Sequence, residues 1–219
     1  MNEPLQITHN ESRWPPAVAI VAVLGLLAVL PHRVQLMPPW VSYVVVLAVI
    51  VPMAAVTFTN SNSLWLRLER RVIMLFAAAY IVNTTAELAD MIGIITLHPP
   101  ETRKVSLLSS SLAIWLTNVL TFSLVYWQMD AGGPDVRMKG TGAKPDLLFP
   151  QTTTPEGAAR DWRPMFLDYL FLAYNTATAF SPADAAPLTH RAKMLMMLES
   201  AISLLTLVIV AARAVNVLP

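Results

Sequence analysis

The chain has 219 residues, 55% of them hydrophobic and only 13% charged, with a mean hydropathy of +0.54. Charged residues form about a quarter of an average soluble domain, so the apolar excess is expected to face lipid. The absence of cysteine excludes disulfide frameworks, thiolate metal sites and cysteine nucleophiles, and a net charge of +1 offers nothing to a nucleic acid.

Trp14 to Leu30 is an almost pure apolar run, with Pro15-Pro16 at its start and Pro31 at its end. At ~1.5 Å per residue it reaches about 25 Å, enough for a bilayer core. The preceding tail carries Glu3 and Glu11, and no A-x-A pattern follows Leu30, so a retained span is expected over a cleaved signal peptide. A second run, Trp40 to Phe58, follows Pro38-Pro39 and contains Pro52, where a kink is expected. The Asn60 to Ser63 turn leads to a third helix over Leu64 to Leu97, ended by His98-Pro99-Pro100. Residues 1–104 thus read as a three-helix membrane region.

A pore-like module is expected over 105–219. Its outer helix, 105–128, offers Trp115, Tyr126 and Trp127 as interfacial anchors. The connection 129–163 carries five basic and five acidic side chains and reads as solvated. Pro164 to Thr178 is too short to cross as a helix. With the loop that follows it forms a re-entrant segment over 164–188. The inner helix is expected over 189–218, with Met194, Met196 and Met197 in ordinary apolar packing. The fold class is therefore all-α and polytopic, with five spanning helices and one half-length segment.

From Thr176 to Thr189 the sequence reads T-A-T-A-F-S-P-A-D-A-A-P-L-T. This resembles the pore signature of the tetrameric potassium-channel family, T-x-T-T-V-G-Y-G-D-x-x-P-x-T with a basic residue soon after. Thr176, Thr178, Asp184, Pro187 and Thr189 match without gaps, and Lys193 falls on the basic position. The likeness covers about eighteen residues in detail and the layout of roughly half the chain. It implies a homotetramer, monovalent cations as permeant ligands, and a supporting role for Glu199 through bonds to the loop backbone. The W-L-T-N block at Trp115 to Asn118, the Y-W-x-x-D-x-G-G-P block at Tyr126 to Pro134 and A-F-S-P-x-D at Ala179 to Asp184 are also similar to a group of bacterial membrane proteins. That likeness implies the bacterial inner membrane.

The filter departs from the family pattern. Potassium selectivity needs carbonyls aimed at a dehydrated ion, and the two glycines that let the backbone turn are Ser181 and Ala183 here. A left-handed conformation costs about 1–2 kcal/mol in a non-glycine residue, and Pro182 fixes φ and removes an N–H. Ala179 replaces the innermost threonine ligand and Phe180 the usual valine. Two readings stay open. One is a weakly selective cation channel using oxygens of Thr178, Ser181 and Asp184. The other is a non-conducting oligomeric scaffold or subunit built on the same fold.

Asn83, Glu87 and Asp90 share one face of the third helix at i, i+4, i+7 spacing. They form a candidate cation or proton site, or else pair with Arg70, Arg71 or a neighbouring helix. Thr117 and Asn118 read as interhelical hydrogen-bonding groups. His9, His32, His98 and His190 show no metal-ligand spacing, and no catalytic motif or cofactor fingerprint is present, so no enzyme activity, metal or cofactor is expected. Orientation is contested. A channel arrangement puts the re-entrant loop outside, whereas that side would hold eleven of the fifteen lysines and arginines, which favours the cytoplasm.

Overall fold

In the computed structural model the described residues are 11–29, 47–48, 50–56, 63–97, 104–139, 143–153, 162–178 and 185–215. They form helices α1 (Trp14–Val29), α2 (Ser63–Leu97), α3 (Lys104–Met129), α4 (Pro134–Lys139), α5 (Phe166–Thr178) and α6 (His190–Val215). Residues 50–56 are also helical and include Pro52. Short 3-10 turns occupy Asp130–Gly132 and Pro150–Thr152. A two-residue ladder pairs β1 (Leu147–Leu148) antiparallel with β2 (Ala186–Pro187), Leu147 opposite Pro187 and Leu148 opposite Ala186. The fold is all-α, and its main helices coincide with the apolar runs of the sequence to within a few residues.

Helix α3 is the hub: α1, α2, α5 and α6 all pack on it. Phe122, Leu124, Tyr126 and Trp127 are fully buried there, together with Thr117, Asn118, Thr121 and Ser123. Two described helical stretches are long and apolar enough to cross a membrane, Ser111–Gly132 and His190–Ala211. Their burial runs opposite to their hydropathy. The less apolar stretch is 78% buried, and the more apolar one only 28%. Met194, Met197, Leu204, Leu205 and Val208 of α6 all face outward, whereas Met196 packs partly buried against the core.

One end of the bundle is closed by a polar cap. Arg13, just ahead of α1, reaches Asp135 of α4 and lies 3.2 Å from Glu69 in the second turn of α2. Arg70 donates to the Gly132 carbonyl at 2.6 Å, and Arg191 at the start of α6 binds Asp146. The starts of α1, α2 and α6 therefore meet the end of α3, as an up-and-down succession of long helices requires.

Part of the described connection after α3 is packed, while 143–145, 150, 152 and 153 are exposed. Asp130, Arg137, Asp146, Leu147 and Phe149 are all buried. A balanced set of acids and bases looks soluble in sequence, yet Asp135, Arg137 and Asp146 pair with Arg13, Glu11 and Arg191 from outside the connection. Tyr126 and Trp127 are likewise not interfacial anchors. Their polar atoms bond to Glu199 and Glu11, which draws both rings into the core. The chain leaves α3 through a tight reversal in which Ala131, Gly132 and Gly133 all have positive φ, 51°, 85° and 104°. A Cβ on Gly133 would lie 3.4 Å from the Gln128 carbonyl oxygen. Gly133→Ala should therefore cost at least about 1–2 kcal/mol, seen as an earlier thermal transition in detergent.

Candidate functional site

The excursion of α5 begins and ends at the cap. At its start the Phe166 N–H donates to Glu11 Oε1 at 3.0 Å, and the Met165 N–H to Asp168 Oδ2 at 2.7 Å. A carboxylate in the first turn satisfies an otherwise orphan donor and suits the helix dipole. Thirteen residues of helix carry the chain about 20 Å inward. There Ser200 Oγ of α6 donates to the Thr176 carbonyl. Ser200 lies ten residues into α6, about 15 Å from its start. Ala185 is buried, Ala186–Pro187 pairs with Leu147–Leu148, and the Leu188 N–H donates to the Asp146 carbonyl at 2.8 Å. The chain thus goes in as a short helix and is back at the cap within six residues of sequence.

Asp130 and Asp146 hold that return in place. Asp130 Oδ1 accepts the N–H groups of Asp146 and Leu147 at 2.8 and 3.2 Å, and its Oδ2 accepts the Tyr169 hydroxyl at 2.6 Å. Asp146 accepts from Thr189 at 2.7 Å and twice from Arg191 at 2.6 Å. Burial alone would raise the Asp146 carboxyl, but these bonds and the Arg191 charge hold it below its ordinary value. Glu11 receives Trp127 Nε1 at 2.8 Å and sits 3.4 Å from Arg137 Nη2. Here burial prevails over the partners, and the Glu11 carboxyl is raised. The Arg137 guanidinium also donates to the Trp127 and Asp130 carbonyls and lies over the Tyr169 ring.

A second polar constellation runs between α3 and α6. The Tyr126 hydroxyl donates to Glu199 Oε2 at 2.5 Å, and Asn118 Nδ2 donates to Ser203 Oγ at 2.8 Å and to the Glu199 carbonyl at 3.3 Å. Asn118 is interhelical as the sequence suggested. Thr117 is not, since its hydroxyl bonds the Ala113 carbonyl of its own helix.

The sequence-derived site residues divide accordingly. Thr176 and Thr178 stand in the last turn of α5, their hydroxyls bonded to Leu172 and to Tyr174 and Asn175. Ala179, Phe180, Ser181, Pro182, Ala183 and Asp184 lie outside the described residues. Glu199 is fully buried, and its partner among the described residues is Tyr126 of the outer helix. Asn83 is half-buried on α2, and the side chains of Glu87 and Asp90 lie outside the described set. Sequence reading missed Asp130, Asp146 and Glu11. The Y-W-x-x-D block did mark Asp130, whereas nothing local marks the other two. Among the described residues no cluster of His, Asp and Glu could hold a metal ion. Comparison with protein-family models, with curated proteins and with solved structures finds no match to this chain.

Proposed function

We propose that the chain is a channel-like integral membrane protein of the bacterial inner membrane, a weakly selective cation channel with a non-standard filter. Five helices cross the bilayer, and 164–188 enters and leaves it from one side. The observation that carries this reading is the path of α5, which leaves the cap, reaches the level of Ser200 and returns to Asp146. Backbone that reaches this depth without crossing survives only where protein buries it or water lines it. The membrane setting is supported by the inverted burial, with the more apolar helix turned outward. Water would favour the opposite arrangement, since contiguous exposed apolar patches are rare on soluble monomers.

One such module cannot enclose a pore, so the chain assembles with copies of itself, as a tetramer by its resemblance to the potassium-channel family. Thr176 and Thr178 stand at the inner end of the short helix, ahead of the loop 179–184. Asp184 follows at the loop's outer end in sequence, adjoining the cap residue Ala185. Without glycines at 181 and 183 the loop discriminates weakly among monovalent cations.

Purified protein in liposomes tests this directly. Comparable potassium and sodium flux supports the channel, and no flux above empty vesicles leaves a non-conducting scaffold. A ring of carboxylates at a narrow mouth concentrates cations. Asp184→Asn should therefore lower conductance most at low salt. At roughly 10 mM, where the Debye length is about 30 Å, single-channel current should drop severalfold, and near 1 M it should change little.

A further inference from the structure

We propose that Glu199 is an intramembrane proton-binding site. Its carboxyl is a neutral acid held between α3 and α6 by Tyr126, and its proton leaves only when those two helices part. This inference rests on the membrane placement of α3 and α6 and is independent of ion conduction, so a protein that conducts nothing would still show it.

Glu199 is 0% exposed, on α6, which packs against α3. Oε2 accepts one hydrogen bond, from the Tyr126 hydroxyl, and Oε1 has no partner among the described residues. The Asn118 amide is spent on Ser203 and the Glu199 backbone carbonyl, not on the carboxyl. A buried carboxylate is stable only when cations or several donors surround it, and a single phenol does neither.

The elements packed against α6 are α2, α3, α5 and β2. From α3 the facing titratable group is Tyr126. From α5, Asp168 is turned to the Met165 N–H at the cap, Tyr169 to Asp130, and the Tyr174 ring to Trp115. Strand β2 carries no titratable side chain. Among the described residues no charged side chain of α2 or α6 acts on Glu199. The proton is therefore the only cation that the site as built can hold.

The core face of α3 carries further polar groups. Thr121 Oγ1 of α3 is also buried, with no partner among the described residues. Polar atoms of this kind take up water once a path opens. Loss of the proton would leave an anion that the closed seam cannot solvate, so release and opening are coupled.

Isotope-edited infrared spectroscopy of the full chain in lipid vesicles, with carboxyl-labelled glutamate, reads the protonation state. At neutral pH the expected spectrum contains a protonated-acid carbonyl band that is lost in Glu199→Gln and retained in Glu11→Gln and Glu69→Gln. In Tyr126→Phe that band should shift upward, because the carbonyl loses its hydrogen bond, and it should exchange with deuterium faster than in the native chain. If Glu199→Gln removes a carboxylate band instead, the proposal is overturned. Should Glu199→Gln fail to assemble, Tyr126→Phe decides alone, and a spectrum with every acid band unmoved overturns it as well.

Discussion

Replacing Arg137 by methionine should destabilise the protein by about 3–5 kcal/mol, the range found when one partner of a buried ion pair is removed. Methionine fills much of the same space, so little of the loss comes from a cavity. What remains is Glu11, buried with its Trp127 and Phe166 bonds but without its cation. The Trp127 and Asp130 carbonyls lose their donor as well. Removing both charges together, in Glu11→Gln with Arg137→Met, should recover a substantial part of that loss.

The same pair sets a pH dependence whose sign follows from burial. The Glu11 carboxyl lies above its ordinary value of 4.5 in the folded protein because burial outweighs Arg137 and its other partners. The native state then holds the proton more tightly than the unfolded chain. Its contribution to stability is complete below the ordinary value and is lost as pH rises through the raised one. Without Arg137 the loss should steepen. Melting in detergent between about pH 5 and about pH 8 should separate Arg137→Met from the native chain increasingly. In the Glu11→Gln background this part of the dependence should vanish. A gap between the two that is constant over this range would contradict the assignment.

Asp130→Ala is the second large effect expected. It strands two buried backbone N–H groups, of Asp146 and Leu147, and the Tyr169 hydroxyl. Each buried polar group left unsatisfied costs about 1–3 kcal/mol, so a loss of about 4 kcal/mol is expected. The damage should reach the loop, because Asp146 anchors the return through Leu188, Thr189 and Arg191. Asp130→Asn keeps an acceptor for the two N–H groups, and the Tyr169 hydroxyl can turn to accept from the amide. It should therefore recover roughly half of the loss. Thermal unfolding, with mass measurement of the oligomer in the same detergent, checks both.

The helices were legible because length and punctuation determine them. Pro99-Pro100 bounds α2, and Pro164 with the small-residue run after Thr178 bounds α5 at thirteen residues. An apolar run with a proline on each side has few alternatives. The cap was not legible, for a physical reason. Glu11 and Arg137 stand 126 residues apart in the chain, and no local pattern announces such a pair. Composition is equally silent, since a neutral mixture of acids and bases reads the same whether solvated or neutralised in place. Tyr126 and Trp127 misled for a related reason, because amphipathic rings suit a membrane interface and a buried hydrogen bond equally well. For Glu199 the resemblance pointed to support of the loop backbone, but only the fold reveals that Tyr126 faces it.

A re-entrant α5 segment enters and leaves the bilayer from one side, which labelling tests directly. The chain contains no cysteine, so each thiol introduced is the sole target of a membrane-impermeant reagent. Thr153 precedes α5 and Leu188 follows the loop, and both side chains are exposed at the cap. Glu101 lies between α2 and α3, at the opposite end of the helices in sequence. In sealed, oriented vesicles Thr153→Cys and Leu188→Cys should label from the same side, and Glu101→Cys from the other. Labelling of Thr153→Cys and Leu188→Cys from opposite sides would mean that the α5 segment crosses the membrane, and the re-entrant reading would be wrong.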